Sequence, residues 1–406
     1  MCIRDRGFIG NYGILTLEQG KIQDVLIEDI YKIDTDYLAD KYGYPIPYPL
    51  GSYLSQRHLH LRDANWWADL PTSAVFIQDF FKFETGRQVD GLLVLDPILI
   101  EDILRVLSPI QVPGHDKEIT ADNVTYEIQY QVHRNIVSMD TRKDFVSNLG
   151  EILMDRVMSA SGDELKEIIK VLFDNLHERH LQLFANDQTM QQWFCNQRWC
   201  GETYATDGDF LQIIDTNISI KKVNFFTSSH YDYQVQIKSD DSLEARLEVH
   251  YDNPSNYDGW RGGPYITYVR IYVPYGSELV DASGFFDQVR TYNEYEGKLN
   301  QKTVFAGIVR TDVRSKHKVV LNYRLPSAIW APGLYYSLIF QKQAGTPTIP
   351  AQRDVRGYPI SFCLKDQTVS YKLEALSDHD SRVENNQLCY ESDLTTDREF
   401  LIELLP

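Results

Sequence analysis

Two hydrophobic rhythms divide the chain. From Gly7 to about Phe184, strand-like and helix-like segments alternate. GNYGILTL, a turn at Gly20 and KIQDVLI read as a hairpin, two alternating runs joined by a turn-forming glycine. YGYPIPYPLGSYL is a proline-broken loop, because proline has no N–H to give a ladder. His58, His60 and Arg62 alternate with Leu59 and Leu61, which predicts a strand with one polar face; Thr72 or Ser73 then supplies the side-chain oxygen that caps a helix opening at AVFIQDFFKF. VDGLLVLD is a continuous apolar run of buried-strand type, followed by Asp96-Pro97 as N-cap and first residue of the helix ILIEDILRVL, which stops at Pro109. KDFVSNLGEILMDRVMS and DELKEIIKVLFDNLHERHLQLF both carry apolar residues at helical spacing, with Gly162-Asp163 between them as stop and start. Together these elements predict a mixed sheet flanked by helices.

Beyond Asp215 the rhythm shortens. YDYQVQIK, ARLEVHYDN, YITYVRIYVP, KTVFAGIVRT, KHKVVLNYRLP and YYSLIFQKQ are short runs rich in Val, Ile, Tyr and Phe with turn signals between them. Six such runs without a helix predict an antiparallel sandwich of immunoglobulin-like type. From Gly345 onward, TPTIP is followed by strand candidates in YPISFCL and VSYKLEAL and by an acidic tail. The expected organisation is an artefactual or truncated start at 1–6, an α/β domain at 7–214, a β-sandwich at 215–345 and a C-terminal extension with strands at 346–406. MCIRDR lacks the apolar core of a signal peptide and has the look of translated adaptor sequence running into the middle of a fold, so Cys2 stays outside the cysteine argument.

Composition narrows the chemistry. The 406 residues suffice for two or three domains with real cores. Acidic residues outnumber basic ones 58 to 40, a net charge of −18, which argues against a nucleic-acid backbone as partner. The 26 tyrosines favour half-buried sheets and wet, carbohydrate-tolerant surfaces. No stretch reaches the apolar length of a transmembrane helix. A Gly-x-Ser-x-Gly elbow, a phosphate loop, a Gly-x-Gly-x-x-Gly turn and a zincin helix are all missing, which removes the usual support for hydrolase and nucleotide-enzyme readings. Cys195 and Cys200 in WFCNQRWCGE stand further apart than redox or zinc pairs; with Cys363 and Cys389 they fit two disulfides in an exported chain, or else separate buried thiols.

Several motifs carry a resemblance. GFIGNYGILTLEQGKI, LRDANWWADLPTSA, VDGLLVLDP and ITADNV, and later DTNISIKK, YITYVRIYVPYGSEL and LIFQKQAGT, together resemble a bacterial envelope family known as domain of unknown function 4012, over roughly Gly7 to Thr346. The resemblance implies a membrane-anchored, outward-facing protein whose anchor lies in upstream sequence. More distantly, the order of hairpin, polar strand with Asn before a helix, buried strand and helix, then an Arg-bearing turn before long helices is similar to the LytR-CpsA-Psr fold. That similarity implies transfer of a glycopolymer from a polyprenyl pyrophosphate carrier, with guanidinium groups clamping the diphosphate. Carried onto this chain it implies Arg62 and Asp63 as the catalytic pair, Arg134, Arg142, Lys143 and Asn65 as ligand-binding residues, and a divalent ion such as Mg2+ on the Asp63 side. Where that family has an Arg-Asp pair after its second strand, this chain has Glu28-Asp29.

Each candidate also has a plainer role. Arg62 and Asp63 beside a helix start suit an anion, and equally a surface ion pair of little energetic worth. Arg134, Arg142 and Lys143 lie at a helix start, where basic groups are not favoured, so they need a partner: an anion, or Glu28 and Asp29. His58 and His60 have a metal-ligand spacing but no third ligand nearby, which favours a solvated or hydrogen-bonded role. Trp66 and Trp67 suit a sugar ring or a division between core and surface. Asp215, Thr216 and Asn217 are expected to hydrogen-bond a linker. The expectation is an extracytoplasmic envelope protein that binds or transfers a polyprenyl-pyrophosphate-linked glycopolymer, with a lipid carrier or cell-wall glycan as partner. The rival is a non-catalytic cell-surface module with a degenerate transferase-like domain.

Overall fold

The computed structural model describes residues 9–134, 142–219, 221–257, 259–296, 300–330, 334–346, 358–368, 370–377 and 379–405. The chain forms two compact units, Met1–Gly201 and Glu202–Pro406. The division falls before the boundary expected at Asp215, because FLQIIDT is not a linker. It is a strand, Asp209–Asn217, buried along almost its whole length within the second unit.

In the first unit, β1 (Asn11–Glu18) and β2 (Lys21–Asp29) form the expected antiparallel hairpin. Gln19 and Gly20 at its tip both have positive φ, 51° and 76°, the backbone twist that a tight hairpin turn requires and that glycine adopts without strain. α1 (Asp36–Tyr42) leads into the proline-rich segment, and the second half of that segment, expected as loop, forms a short helix, α2 (Tyr48–Leu54), with Pro49 in its first turn, where no N–H is needed. Then follow α3 (Leu70–Thr85), β3 (Gly91–Leu95) and α4 (Pro97–Val106), whose cap is Asp96, accepting from the Ile98 amide at 2.8 Å. The remaining elements are β4 (Ile110–Gln111), β5 (Glu118–Ile119), α5 (Val124–Arg134), α6 (Arg142–Met158), α7 (Gly162–His177), β6 (Leu181–Ala185) and α8 (Gln188–Asn196).

The single mixed sheet expected here does not form among the described residues. Three separate two-stranded ladders take its place: β1 with β2, β3 with β6 and β4 with β5. β3 pairs antiparallel with β6, a strand hidden in a sequence that reads as one long helix through Phe184. The helix stops at His177, Arg179 turns the backbone with φ 61°, and LQLFA extends. The packing is built around α4. Leu104 joins a core with Val112, Ile119, Val124, Phe145 and Leu149, while Leu99 and Ile103 join Ile168, Leu176, Leu181 and Trp199. A helix with apolar residues on two faces is held from both sides.

The second unit consists of two seven-stranded sheets. Its strands are β7 (Asp209–Asn217), β8 (Ser228–Ile237), β9 (Leu243–Asn253), β10 (Tyr265–Pro274), β11 (Glu278–Ser283), β12 (Arg290–Glu296), β13 (Asn300–Thr311), β14 (Ser315–Leu325), β15 (Tyr335–Gln341), β16 (Pro359–Asp366), β17 (Lys372–Ala375), β18 (Ser381–Glu384), β19 (Gln387–Asp393) and β20 (Arg398–Leu405). One sheet runs β12-β13-β10-β7-β15-β20-β17 and the other β11-β14-β9-β8-β16-β19-β18. Strict alternation puts Tyr231, Tyr233, Val235, Leu247 and Val249 into the core shared with Ile213, Ile271, Phe305 and Phe340 of the facing sheet. All six strand candidates of 231–343 are strands. The sheets are mixed and not purely antiparallel, since β15 runs parallel to β7 and β16 parallel to β8. The C-terminal extension is no appendage: β16 to β20 lie inside both sheets.

The tyrosines have a different place from the one composition suggests. Tyr231, Tyr233, Tyr251, Tyr272, Tyr323, Tyr336 and Tyr390 are buried. A buried phenol needs a hydrogen-bond partner, and for three of these, Tyr233, Tyr336 and Tyr251, an aspartate supplies it. Asp209 accepts from Tyr233 at 2.6 Å and from Tyr336, and Asp215 accepts from Tyr251 at 2.8 Å and Thr267 at 3.3 Å. Asp215 is therefore a core acceptor within a strand rather than a linker residue. Cys195 bonds Cys200, and Cys363 bonds its cross-strand partner Cys389.

Candidate functional site

The HLHLRDANWW segment closes on the end of the β1–β2 hairpin. Asp29 caps a 3-10 turn at Ile30–Lys32 by accepting from the Tyr31 amide, the chain descends through buried Asp34, and Thr35 caps α1. The carboxylate of Asp34 then organises residues 60–62. Oδ1 accepts from His60 Nδ1 at 3.2 Å and from the Leu61 amide at 3.2 Å; Oδ2 accepts from the Arg62 amide at 3.1 Å and from Arg62 Nη1 at 3.0 Å. The expected polar strand is absent for this reason. Two amides that a ladder would use are bound to a side chain, and Leu61–Asp63 curls into a 3-10 turn. His58 and His60 consequently do not share a face: His58 lies 3.4 Å from exposed Asp40, whereas His60 is buried on Asp34.

Arg62 is held on several sides. Its guanidinium lies over the Tyr31 ring at 5.3 Å, and Nη2 is 3.9 Å from the exposed Asp36 carboxylate. Burial alone would push the Asp34 carboxyl up, but the His60 hydrogen bond and the Arg62 charge outweigh it and hold the group below the usual carboxylate range. Asp63 is the opposite case. It is 4 % exposed, and neither carboxyl oxygen has a hydrogen-bond partner among the described residues. Burial pushes it up to about 7 against the opposing charges of Arg62 and His60. Glu84, in the last turn of α3, also has both oxygens withdrawn and without a partner among the described residues; burial, and then the Asp34 charge, push it up to about 8. Four carboxyl groups thus surround one arginine and one histidine. Such a cluster holds protons near neutral pH, and it offers an anion little, because the guanidinium is already spent on Asp34.

The helix start beside it is filled as well. α3 begins at Leu70, before the expected cap, with Asp69 accepting from the Thr72 amide at 2.9 Å and the Thr72 hydroxyl at 2.7 Å. Ser73 is buried one turn inside and donates to the Trp67 carbonyl. Pro71 in the first turn has no N–H, so the helix starts there without losing a donor, and the amides that would greet an anion face an aspartate of the chain itself. Trp66 is buried and Trp67 stacks on Phe76 with ring centroids 3.9 Å apart, so both tryptophans go to packing.

Of the residues expected to form a site, Arg62 and Asp63 come together and Asn65 lies half-buried in the following turn. Arg134 ends α5 and Arg142 and Lys143 open α6, and the side chains of all three lie outside the described residues. Glu28, one expected partner of these basic groups, accepts from Tyr12 at 2.5 Å and pairs with Lys32. Asp34 and Glu84 are the members that sequence reasoning missed. Asp34 sits in IDTD, where it reads as a helix-capping residue, and Glu84 looks like a solvated helix position. A divalent ion on the Asp63 side does not fit this geometry. Mg2+ takes hydrated, octahedral oxygen sites, whereas Asp63 is dry, carries a raised carboxyl and forms no converging donor trio with Asp34 and Glu84.

Comparison with known proteins gives little beyond the N-terminal third. No curated protein matches the chain. A solved structure described as a "putative nutrient binding protein" from Legionella pneumophila aligns at 7% identity and TM-score 0.31, covering 49% of this chain and 72% of that one. Leukotriene A4 hydrolase from Saccharomyces cerevisiae aligns at 6% identity and TM-score 0.26, covering 44% and 29%. An M1 zinc metallopeptidase from Deinococcus radiodurans aligns at 11% identity and TM-score 0.23, covering 44% and 42%. At such scores neither fold nor activity transfers. Residues 4–133 match the family described as Protein of unknown function (DUF4012).

Proposed function

We propose that the chain is a non-catalytic binding or structural module of the bacterial cell envelope, exposed outside the cytoplasm, in which the N-terminal unit is a degenerate relative of the LytR-CpsA-Psr transferases. In this proposal the second unit is an immunoglobulin-like sandwich that engages a cell-wall glycan. One observation carries the reading: Arg62, the guanidinium best placed to hold a diphosphate, is bound by Asp34 through both backbone and side chain within a cluster rich in carboxyl groups. The extracytoplasmic placement draws support from the two disulfides, which persist in oxidising compartments. Among the described residues no helix is long and apolar enough to cross a membrane.

A second reading keeps the carrier-lipid ligand, and Asp63 favours it. A buried, unpaired carboxyl pushed to about 7 beside an arginine is the kind of group that catalytic sites prepare. Calorimetry of the full chain with farnesyl pyrophosphate, with and without MgCl2, separates the two. The surface-module reading expects no saturable heat under either condition, and co-sedimentation of the chain with purified cell-wall sacculi. Saturable binding of farnesyl pyrophosphate that Arg62→Ala weakens would replace it with the transferase-like reading.

A further inference from the structure

β8 and β9 are antiparallel neighbours within one sheet of the Glu202–Pro406 unit. Their register sets His230 opposite His250 and Asp232 opposite Glu248. Alternate residues of a strand share a face, so all four side chains emerge together. Their intervening neighbours Tyr231, Leu247 and Val249 fill the core, which places the four on the outer face. Directly opposed residues of an antiparallel pair have Cβ atoms about 4.5–5.5 Å apart. Two imidazoles and two carboxylates therefore occupy the corners of one small square.

The side chains turn inward on that square. His230 Nε2 lies 2.8 Å from Asp232 Oδ1, and His250 Nε2 lies 2.9 Å from Asp232 Oδ2 and 3.4 Å from Glu248 Oε2. The donor atoms of Asp232, Glu248 and His250 all lie within 4.8 Å of one another. Two ligands of a tetrahedral ion, each about 2.0–2.1 Å from it, are about 3.4 Å apart; the His250–Glu248 distance already matches, small side-chain shifts bring Asp232 to the same spacing, and His230 stands beside them on Asp232. A second observation points the same way. Nε2 of His250 is withdrawn from water and makes no hydrogen bond among the described residues, although two carboxylate oxygens are near, because neither lies where the geometry of a hydrogen bond needs it. The four side chains remain 18% to 40% exposed, which leaves an ion a way in. Glu248 is held in place by Arg246 Nη2 at 2.5 Å and by Lys318 Nζ at 2.9 Å.

We propose that His230, Asp232, Glu248 and His250 form a binding site for a divalent transition-metal ion of the zinc class. Two imidazole nitrogens with two carboxylate oxygens suit Zn2+, Ni2+ or Cu2+, whereas Mg2+ and Ca2+ take oxygen-only shells. The site is independent of the function assigned to the N-terminal cluster.

The test titrates ZnCl2 into the full chain, freed of metal by chelation, in the presence of excess MgCl2. Calorimetry gives the stoichiometry, and long-range proton–nitrogen NMR identifies which imidazole nitrogens shift. The expected result is one tightly bound zinc that shifts Nε2 of His230 and His250. His250→Ala and Asp232→Asn should each weaken binding by at least about tenfold, the scale on which even a supporting group matters to a metal site. His58→Ala should leave it unchanged. A melting curve on each variant shows that it is folded, and His250→Gln serves if the alanine variant is not. Absence of saturable zinc binding, binding unchanged by the His250 and Asp232 substitutions, or displacement of zinc by magnesium overturns the proposal.

Discussion

Asp34 and Asp63 belong to one cluster, yet their carboxyl groups move in opposite directions. Asp34 has partners, so its ionised form is favoured; it contributes stability above its ordinary range, and that contribution is lost as the pH falls through its lowered folded value. Asp63 has burial without partners. Its folded form keeps a proton that the unfolded chain releases near 3.8, so its contribution is fully present in acid and drains away as the pH rises to about 7. Glu84 extends the same trend to about 8. Asp63→Asn keeps the neutral shape and should stabilise the protein more at pH 8 than at pH 5, by about 3 kcal/mol, since each of the two pH intervals between 5 and the folded value costs ~1.4 kcal/mol. Urea unfolding of wild type and variant at both pH values checks this, and an equal gain at each would refute it. Of this site, Arg62 and Asp63 were legible from residue type and position. Asp34 was not, because its four hydrogen bonds reach 26 to 28 residues along the chain.

Elements whose ends are written in local chemistry were readable. Asp96-Pro97 predicts the start of α4, and Gly162-Asp163 marks the start of α7, where the structure adds a reciprocal capping box of Ser161 with Glu164. Elements whose state depends on a distant partner were not. The alternation at His58–Arg62 has the period of a strand but lies on Asp34, and LQLFA has helical neighbours but pairs with β3. The disulfides divide in the same way. Cys195 and Cys200 are five residues apart, at the end of α8 and in the turn that follows it; Cys363 and Cys389 are 26 apart and meet only because β16 pairs with β19. On loop length alone the longer bridge stabilises by about 3.5 kcal/mol and the shorter by about 2 kcal/mol. Cys363→Ala with Cys389→Ala should therefore lower the urea midpoint more than Cys195→Ala with Cys200→Ala. Thiol titration of the unfolded, unreduced chain should find one reactive group, Cys2, among its five cysteines. Five reactive groups would exclude both bridges.

Across the whole molecule, the C-terminal residues show how far local pattern falls short of architecture. Nothing in YPISFCL or VSYKLEAL says that β16 must run parallel beside β8, or that β20 must lie between β15 and β17. Phe362, Leu364, Leu388, Phe400, Ile402 and Leu404 all enter the common core. Each is worth about 1.5–3 kcal/mol when fully buried, and the six together match or exceed the 5–15 kcal/mol by which a typical domain is stable. A chain ending at Gly345 should therefore lose the cooperative melting of the second unit and aggregate through the bared edges of β8 and β15; a soluble truncated chain with a sharp transition would contradict this. The alternating strands from 231 to 343, the starts of α4 and α7, the hairpin turn and the N-terminal family resemblance were all legible in the chain, since periodicity, capping and turn chemistry act over a few residues. The small ladders of the first unit, the mixed sheets of the second, the aspartates that satisfy three of its buried tyrosines and the grip of Asp34 on Arg62 appear only once the chain is folded. Those depend on which distant groups meet, and burial then sets the energy of every unpaired charge.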